Sequence, residues 1–352
     1  MSQRSSTELR QDILTGRSVI VAAHRSERPQ HSAVHNAVAH EQYDPFLEGN
    51  EKDTPAESLA LRQVDSQADQ PGWLLRVVPN RYPAVTQTGH SENQQASEGF
   101  PSSAACGFHE VVIECPDRRT RLADLSVVEV TRILTAWQVR FNVLSAEPDV
   151  DTVNIFRNEG ALAGASLPHC HSQILATQRV PSAIPHPHNV GTAGRYSQWM
   201  KQELTSRDRI ITEDQRLVVV CPFASRVAWQ VRICPNVCSG QPPIPFGEVS
   251  VSSLQTVAAK LLSVVTALQR LLGELSYNLL LRLPPTAEPN AFPWLLDVVP
   301  RTGQFAGFEL LTDTDIITTA PETAATQLRD VVEWTKADGN EESLWPPDYQ
   351  WV

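Results

Sequence analysis

Short runs of apolar residues bounded by turn-forming residues recur along this chain and predict β-strands more often than helices. In the first half these runs cover residues 17–23, 73–78, 109–114, 151–156 and 166–177. A different pattern separates the third run from the fourth, where apolar positions follow a helical spacing over residues 124–146. Asp124 or Ser126 can cap this predicted helix.

The second half of the chain repeats this order. Residues 217–222 and 229–235 are strand-like and end in proline, as the earlier runs are closed by Pro79 and Pro116. A long amphipathic helix is predicted over 251–275, followed by strands over 278–283 and 294–299. The order strand, strand, helix, strand, strand thus occurs twice, which predicts a duplicated α+β unit.

Two polar stretches interrupt the first half. Residues 30–70 are rich in Gln, His, Asp, Glu and Ser and predict a long surface excursion, and residues 86–105 are rich in Ser, Gln and Gly and predict a loop. A chain of 352 residues exceeds the usual size of one hydrophobic core. We therefore expect two domains, with residues 1–185 in the first and residues 186–352 in the second.

Charge and composition narrow the function classes. The net charge of −11 comes without a basic stripe, so we do not expect nucleic-acid binding, and a phosphate ligand would need a few local arginines. No apolar run approaches the length of a membrane span, and the polar first 12 residues lack the apolar core of a signal peptide, which predicts a cytoplasmic protein. Six cysteines are too sparse for a disulfide scaffold, and we interpret the CxxxC pair of Cys234 and Cys238 as buried or incidental cysteines rather than metal ligands.

The segment 154–173 carries the most distinctive polar residues. His169, His171 and Gln173 are spaced by two, so on a strand their side chains would share one face. A neutral imidazole attacks phosphorus and can later leave, because its pKa lies close to neutral pH. A neighbouring carboxamide donates to a phosphoryl oxygen on which negative charge develops. This row therefore predicts a site that handles phosphate.

Two other interpretations fit the pair of histidines taken alone. They are compatible with half of a zinc site or with polar residues on an edge strand. Ser166, Asn158 and the flexible Gly160 and Gly164 surround the pair, and these glycines would allow the backbone to approach a ligand closely. The combination favours phosphate chemistry over either alternative.

This stretch resembles the active-site strand of galactose-1-phosphate uridylyltransferases and of the related ADP-sugar phosphorylases, the nucleotidyl-transferring branch of the histidine-triad superfamily. The matching residues are Phe156, Asn158, Gly160, Gly164, Ser166, His169, His171 and Gln173. Further similarity follows in the same order at residues 12–29, 79–84, 107–113, 305–310 and 321–329. Several matches in one order support the resemblance more strongly than a single motif would.

The resemblance implies an α+β fold of duplicated histidine-triad-like units, each a mostly antiparallel sheet with packed helices. It makes residues 1–185 the catalytic unit and residues 186–352 its C-terminal counterpart. It also implies a homodimer that binds small molecules, namely a nucleotide sugar and a sugar phosphate.

The resemblance also assigns roles to single residues. His171 would be the nucleophile that carries the nucleotidyl group, and His169 would belong to the same catalytic row. Gln173 and Ser166 would contact the phosphates. The implied substrate-binding residues are Arg25 and Arg28 for the diphosphate or sugar phosphate, Asn80 and Asn158 for the nucleoside and phosphate end, and Glu309 for sugar hydroxyls. Without the resemblance, the two arginines fit a solvated turn equally well, and Glu309 fits a surface charge.

The chain departs from the family where many members bind zinc. Those members use a Cys-Pro-x-Cys motif, a later histidine and the first histidine of the active-site pair. The corresponding residues here are Asp44, Leu47, Arg118 and His169. Leucine has no ligating atom, and arginine brings a positive charge where a ligand should be.

A second family metal site uses a His-x-His pair near the C-terminus. Its apparent counterpart, residues 293–295, reads Pro-Trp-Leu and offers no ligand. His186 and His188 form a loose alternative pair, which turns around proline in a loop explain as well. The sequence therefore predicts neither a metal ion nor another cofactor.

Three functions remain open at this point. The first is hexose-1-phosphate uridylyltransfer, in which UDP-glucose gives UMP to His171 and galactose 1-phosphate takes it. The second is phosphorolysis of ADP-glucose or of a dinucleoside polyphosphate, and residues 163–167 and 305–310 lean slightly toward it. The third is non-catalytic binding of a nucleotide sugar. We rank uridylyltransfer first on the sequence alone.

Overall fold

The computed structural model describes residues 7–23, 43–87, 104–178, 180, 192–238, 240, 243–337 and 344–352. Arg25, Arg28, His186 and His188 lie outside these ranges, as does most of the loop predicted at 86–105. The roles predicted for the two arginines therefore stay predictions.

The described elements follow the predicted order. The first elements among the described residues are β1 (Glu8–Gln11) and β2 (Ser18–Val21), which form a hairpin. The first unit contains, in chain order, β3 (Leu59–Gln63), β4 (Trp73–Pro79), β5 (Gly107–Ile113), α1 (Val127–Ser145), β6 (Thr152–Glu159) and β7 (His171–Thr177). The second unit contains α2 (Thr192–Ser206), β8 (Ile210–Glu213), β9 (Leu217–Val220), β10 (Val231–Pro235), α3 (Val251–Leu272), β11 (Tyr277–Arg282) and β12 (Leu295–Pro300). The last elements are α4 (Gly307–Thr312), β13 (Asp315–Ile317), α5 (Pro321–Val331) and β14 (Tyr349–Trp351).

Within the described residues, eleven strands form one sheet in the order β14-β3-β4-β5-β7-β6-β11-β12-β10-β9-β8. Neighbouring strands in this sheet are antiparallel. The order β4-β5-β7-β6 of the first unit is mirrored by β9-β10-β12-β11 in the second, and the units meet where β6 pairs with β11. The predicted α+β fold and its duplication are confirmed. The predicted domain boundary after residue 185 falls outside the described residues and stays a prediction.

Helices α1 and α3 cover one face of the large sheet. Buried residues of both units form one continuous core there, including Val112, Trp137, Ile155, Leu261 and Leu279. The described residues include one helix, α3, that is long and apolar enough to cross a membrane, but 67% of the relevant stretch is buried inside the protein. We therefore assign α3 to the core.

The start of α1 shows which residue caps the predicted helix. The hydroxyl of Ser126 accepts a hydrogen bond from the Glu129 backbone N–H, and the Glu129 carboxylate accepts one from the Ser126 backbone N–H. This reciprocal capping box satisfies two backbone donors that would otherwise lack partners. Ser126, rather than Asp124, is the cap.

The opposite face of the sheet is covered differently in the two units. In the second unit, Tyr196, Trp199 and Met200 of α2 pack over strand residues. In the first unit, Phe46 packs against a small cluster that includes Trp73 and Ile113. The face of β7 that carries His171 belongs to this area of the first unit, which is less covered than the area under α2.

Two predicted elements were partly wrong. The strand expected over 166–177 begins only at His171, because Pro168 has no N–H for a strand ladder, and residues 166–170 form a loop. The surface excursion expected over 30–70 contains the buried strand β3. Its Arg62 is 1% exposed and pairs with Glu57, so a buried ion pair made this strand look like surface sequence.

Candidate active site

The candidate site lies on the face of β7 that α1 and α3 leave open. β7 runs between β5 and β6, with His171 opposite Ile113 and Gln173 opposite Val111 and Phe156. Since side chains alternate along a strand, His171 and Gln173 point to the same face. The intervening Ser172 points to the helices, where its hydroxyl accepts a hydrogen bond of 2.8 Å from the indole N–H of Trp137.

A backbone hydrogen bond holds His171 in one tautomer. Its Nδ1 lies 2.7 Å from the carbonyl oxygen of His169. A carbonyl oxygen only accepts hydrogen bonds, so Nδ1 carries the proton and Nε2 of the neutral ring carries a lone pair. Nε2 has no hydrogen-bond partner among the described residues. The ring of Phe46 lies 5.4 Å away between centroids and restricts the plane of the imidazole.

The surroundings keep His171 neutral. Burial lowers its pKa below the ordinary value of 6.5, because the interior solvates the imidazolium poorly. The positive charges of Arg157 and His169 lower the pKa further, while the His169 carbonyl and the Glu114 carboxylate act in the opposite direction. A lone pair on Nε2 is therefore available at neutral pH.

His169 lies just before β7 and is fixed at both ring nitrogens. Nδ1 is 2.9 Å from a carboxylate oxygen of Asp44, and Nε2 is 2.9 Å from the carbonyl oxygen of Cys115. Both partners are acceptors, so this arrangement favours the doubly protonated ring. Burial alone would lower the pKa of His169, but its interactions with Cys115 and Asp44 outweigh burial and raise that pKa to about 9.

These residues do not fit the zinc ion that the family resemblance suggests. Both ring nitrogens of His169 are already bonded, and the guanidinium of Arg118 lies 4.0 Å from the Asp44 carboxylate. Leu47 offers no donor atom. Across the described parts of the chain, no group of three or more His, Cys, Asp and Glu side chains is arranged to hold a metal ion. The absence of zinc stays a prediction, and no step proposed below involves a metal.

Gln173 belongs to a chain of polar contacts. Its Oε1 is 2.9 Å from Nε2 of His109, which lies two residues before Val111 on β5. Nδ2 of Asn80 is 3.2 Å from the same imidazole nitrogen, and Nδ1 of His109 accepts a hydrogen bond of 3.0 Å from the Ala84 backbone N–H. The structure thus brings the predicted Asn80 and Gln173 together through His109.

Asn158 lies on β6 at the start of the glycine-containing loop. The side-chain amide of Asn278 on β11 donates to Asn158 Oδ1 at 2.8 Å and to the carbonyl oxygen of Ala163 at 2.9 Å. The loop also needs glycine at position 160, where φ is +82° and a Cβ would lie 2.2 Å from Ser276 Oγ. A residue of the second unit therefore holds the loop of the first.

Two other predicted residues are not joined to this row by described contacts. Ser166 is exposed in the loop before β7. Glu309 lies on α4, where its carboxylate accepts a hydrogen bond of 3.0 Å from the Ala306 backbone N–H. Their predicted contacts with phosphate and with sugar hydroxyls stay predictions.

A buried ion-pair network lies behind the histidines and was not predicted. Arg157 donates to the carboxylate of Glu114 at 2.9 Å, to that of Glu159, and to Sγ of Cys170 at 3.3 Å. The hydroxyl of Tyr277 donates to Glu159 at 3.0 Å. Because Cys170 separates the two histidines, the network supports this segment from the helix-covered side.

Some of the missed residues left a signal in the sequence. His109 lies on β5 at the same parity as the apolar Val111 and Ile113, which indicates a polar residue on the face that carries His171 and Gln173. Arg157 lies between Phe156 and Asn158, where strand alternation indicates an inward-facing charge. Only the register with β11 shows the part played by Asn278.

Comparison with known proteins identifies the family of the chain that carries this site. Residues 1–181, more than half of the chain, match the galactose-1-phosphate uridyl transferase N-terminal domain. The chain belongs to the galactose-1-phosphate uridyl transferase family. Its relatives are nucleotidyltransferases and phosphorylases that act on small molecules, and this confirms the resemblance seen in the sequence.

Two relatives and one solved structure illustrate the range of this family. ADP-glucose phosphorylase of Arabidopsis thaliana is 28% identical over 340 residues, which cover 94% of each chain. Galactose-1-phosphate uridylyltransferase of Thermotoga maritima is 27% identical over 164 residues, 45% of this chain and 51% of that protein. The crystal structure of an ADP-glucose phosphorylase from Arabidopsis thaliana with bound ADP-glucose superposes with a TM-score of 0.76 at 26% identity, covering 93% of this chain and 99% of that chain.

Proposed function

We propose that this family member transfers a nucleoside monophosphate from a nucleoside diphosphate hexose through a covalent bond to His171. The observation that carries the proposal is the 2.7 Å hydrogen bond from His171 Nδ1 to the His169 carbonyl, which leaves the Nε2 lone pair without a partner among the described residues. Imidazole is an effective nucleophile when one tautomer is held in place and the ring is neutral.

The reaction proceeds in two displacements at one phosphorus atom. In the first, Nε2 attacks the α-phosphorus, an N–P bond forms, and the bond to the bridging oxygen breaks with its electrons leaving on hexose 1-phosphate. In the second, an acceptor phosphate oxygen attacks the same phosphorus and the imidazole leaves. The ring is positively charged while it carries the nucleotidyl group, and the hydrogen bond from Nδ1 to the His169 carbonyl stabilises that charge.

Other residues are assigned to the substrate by the family pattern. In this proposal the Gln173 amide donates to the phosphoryl oxygens, and Ser166, Arg25 and Arg28 contact the phosphates. Asn80 and Asn158 lie at the nucleoside and phosphate end, and Glu309 binds sugar hydroxyls. The net charge of −11 makes local arginines important, because a dianionic substrate is otherwise repelled by the protein.

For the donor and acceptor, we infer ADP-glucose and inorganic phosphate. The Arabidopsis thaliana relative named for this reaction is 28% identical over 94% of the chain, whereas the uridylyltransferase of Cryptococcus neoformans, which covers 92% of the chain, is 24% identical. ADP-glucose would leave AMP on His171 and release glucose 1-phosphate, and phosphate would take the AMP as ADP. This preference reverses the ranking made from the sequence alone.

Uridylyltransfer from UDP-glucose to a hexose 1-phosphate remains the second candidate, because the matching family domain is named for it. A screen of purified protein decides between the two. ADP-glucose and UDP-glucose are each combined with inorganic phosphate or galactose 1-phosphate, and products are separated by ion-exchange chromatography. ADP formed from ADP-glucose and phosphate supports the first candidate, and UDP-galactose formed from UDP-glucose supports the second.

The same screen addresses the non-catalytic alternative. A protein that binds these nucleotide sugars, as measured by calorimetry, but converts none of them would contradict the proposed function. We further propose a cytoplasmic homodimer, on the grounds of the sequence and the family resemblance alone.

A further inference from the structure

The side-chain amide of Gln173 can present either of two opposite groups to a ligand. Its nitrogen donates hydrogen bonds and its oxygen accepts them. A phosphoryl oxygen that gains negative charge needs the nitrogen, and the oxygen would repel it. Some feature of the protein must therefore select one orientation, and the contacts of His109 supply it.

The backbone of Ala84 fixes the tautomer of His109. Its N–H donates to Nδ1 of His109 at 3.0 Å, and a backbone N–H cannot reverse this role. Nδ1 therefore carries the lone pair, and in the neutral ring the proton is on Nε2. Nε2 in turn lies 2.9 Å from Oε1 of Gln173.

This tautomer makes Nε2 a donor and requires an acceptor opposite it. Oε1 of Gln173 meets that requirement, so the Gln173 nitrogen is turned away from His109. The Asn80 amide offers no acceptor, because its Oδ1 accepts from the Tyr82 backbone N–H at 2.8 Å. Its Nδ2 lies 3.2 Å from Nε2 of His109 but is itself a donor, so it makes no hydrogen bond to the protonated Nε2. The Gln173 nitrogen has no hydrogen-bond partner among the described residues.

Strand register places the free nitrogen next to the nucleophile. Gln173 is two residues from His171 on β7 and shares its face. His109 lies farther along β5, opposite Leu175, so it contacts Gln173 from the side away from His171. The oxygen of the amide is consequently held toward His109 and the two amide protons are left for the side of His171.

We propose that His109 is a positioning residue that fixes the Gln173 amide with its N–H donors toward the phosphorus attacked by His171. The relay runs from the Ala84 N–H through Nδ1 and Nε2 of His109 to Oε1 of Gln173. It rests on the proposed function for its catalytic consequence, while the tautomer of His109 can be measured independently of any reaction.

The test compares two substitutions of His109. In His109→Leu the donor to Gln173 is lost, and we expect the N–H of Ala84, an exposed residue, to bond to water instead. We expect kcat to fall by roughly 10- to 100-fold with KM changed less than about twofold, a part of the loss of about 10²- to 10³-fold that follows removal of such a donor. In His109→Gln the new amide nitrogen occupies roughly the place of Nε2, and we expect most of kcat to return.

A double-mutant cycle distinguishes positioning from a general structural role. Gln173→Met keeps the length of the side chain and removes its donors. In that background His109→Leu should change kcat less than about twofold, because His109 acts through Gln173. Additive losses in the double variant, or no loss in His109→Leu, would overturn the proposal. Gln350→Leu, an exposed strand position at the far edge of the sheet, is the matched control and should leave kcat unchanged.

Nitrogen NMR of the labelled imidazole adds a readout that needs no turnover. We expect the proton of neutral His109 to be on Nε2. In Gln173→Met we expect the signal of this nitrogen to change, because its hydrogen bond to Gln173 is lost. A proton on Nδ1 overturns the relay whether or not the protein is active. A wild-type protein that shows the expected tautomer but turns over no nucleotide sugar would instead contradict the proposed function.

Discussion

The two units of the fold place different residues at equivalent positions on one face of the sheet. β7 and β12 are the matching strands, and each is the second strand from the junction of β6 and β11. His171 and Leu295 are their first residues, and Gln173 and Asp297 are their third. Gln173 lies opposite Phe156, and Asp297 lies opposite Leu280. Phe156 and Leu280 in turn are paired with each other across the junction of β6 and β11.

In the second unit, the polar residue at the matching position is paired within the protein. Asp297 is fully buried and accepts hydrogen bonds from Arg232 at 2.7 Å and from Arg282 at 2.9 Å. Leu295 is buried under α2, and Trp199 of the same helix lies 5.5 Å from the Arg232 guanidinium. Asp297, Arg232 and Arg282 thus have their partners within the protein.

The first unit leaves two polar groups unpaired at the matching place. Nε2 of His171 and the amide nitrogen of Gln173 have no partners in the described parts of the chain. The comparison teaches that duplication supplies two similar sheet faces, one at β7 and one at β12. The face at β7, whose polar groups lack partners, is suited to bind a ligand. The face at β12, whose polar groups are ion-paired, contributes to the stability of the fold.

Exchanging the first residues of the two strands should separate these roles most clearly. His171→Leu gives the first unit the residue of the second, and we expect turnover to fall on the order of 10⁴-fold or more, because the nucleophile is lost. The melting temperature should change little or rise, since leucine suits a buried strand position. Turnover assays and calorimetry on the same preparation provide the measurement, and activity retained within tenfold of wild type would refute the role of His171.

Breaking the ion pairs of the second unit should instead lower the stability of the fold. Asp297→Asn leaves two guanidinium groups without their carboxylate, and we expect a loss of about 3–5 kcal/mol in the free energy of unfolding. Urea denaturation measures the loss, and the exposed Asp149→Asn is the control. If Asp297→Asn proves as stable as wild type, the second unit does not depend on this cluster.

A series of stability measurements at different pH values tests whether the imidazole ring of His169 is positively charged. The pKa of His169 is raised to about 9 in the folded protein, above its ordinary value of 6.5. A raised folded-state pKa contributes stability that is fully present below pH 6.5 and is lost as the pH rises toward 9. Because Cys115 and Asp44 together raise this pKa, wild type should exceed Asp44→Asn at pH 6 by only a part of the roughly 3 kcal/mol that the whole shift represents, and the difference should shrink toward pH 9. A difference that is constant with pH would argue against a charged His169.

The smallest effect is expected from removing metal. The first unit pairs His169 with Asp44 where relatives are expected to bind zinc, so we predict protein free of stoichiometric zinc when it is purified without a metal-binding tag. A chelator should leave the melting temperature and the turnover unchanged. One zinc ion per chain, with both quantities reduced by chelation, would show that the polar cluster reorganises around a metal.

Sequence patterns predicted the repeated strand and helix order well, because both rest on local periodicity. The resemblance singled out the row of His169, His171 and Gln173 as catalytic, which stays a prediction, and strand alternation correctly placed His171 and Gln173 on one face. The prediction failed at residues 166–170, where Pro168 delays the start of the strand to His171, and at β3, where the buried Arg62 resembles a surface residue.

The remaining parts of the site depend on contacts between distant segments. Asp44 meets His169 across 125 residues, and Asn278 meets Asn158 across 120 residues. No local pattern encodes such pairs. The tautomer of His109 depends on a backbone N–H in a separate loop, which a residue sequence cannot show.

Isolation of the nucleotidyl-enzyme tests the central claim most directly. The protein is incubated with ADP-glucose or UDP-glucose labelled in the α-phosphate, without acceptor, then denatured in alkali and digested, and the label is located by mass spectrometry. We predict one acid-labile label on His171 that inorganic phosphate or galactose 1-phosphate removes before denaturation, and none on His171→Leu. A label on another residue, or one retained by His171→Leu, would contradict the account.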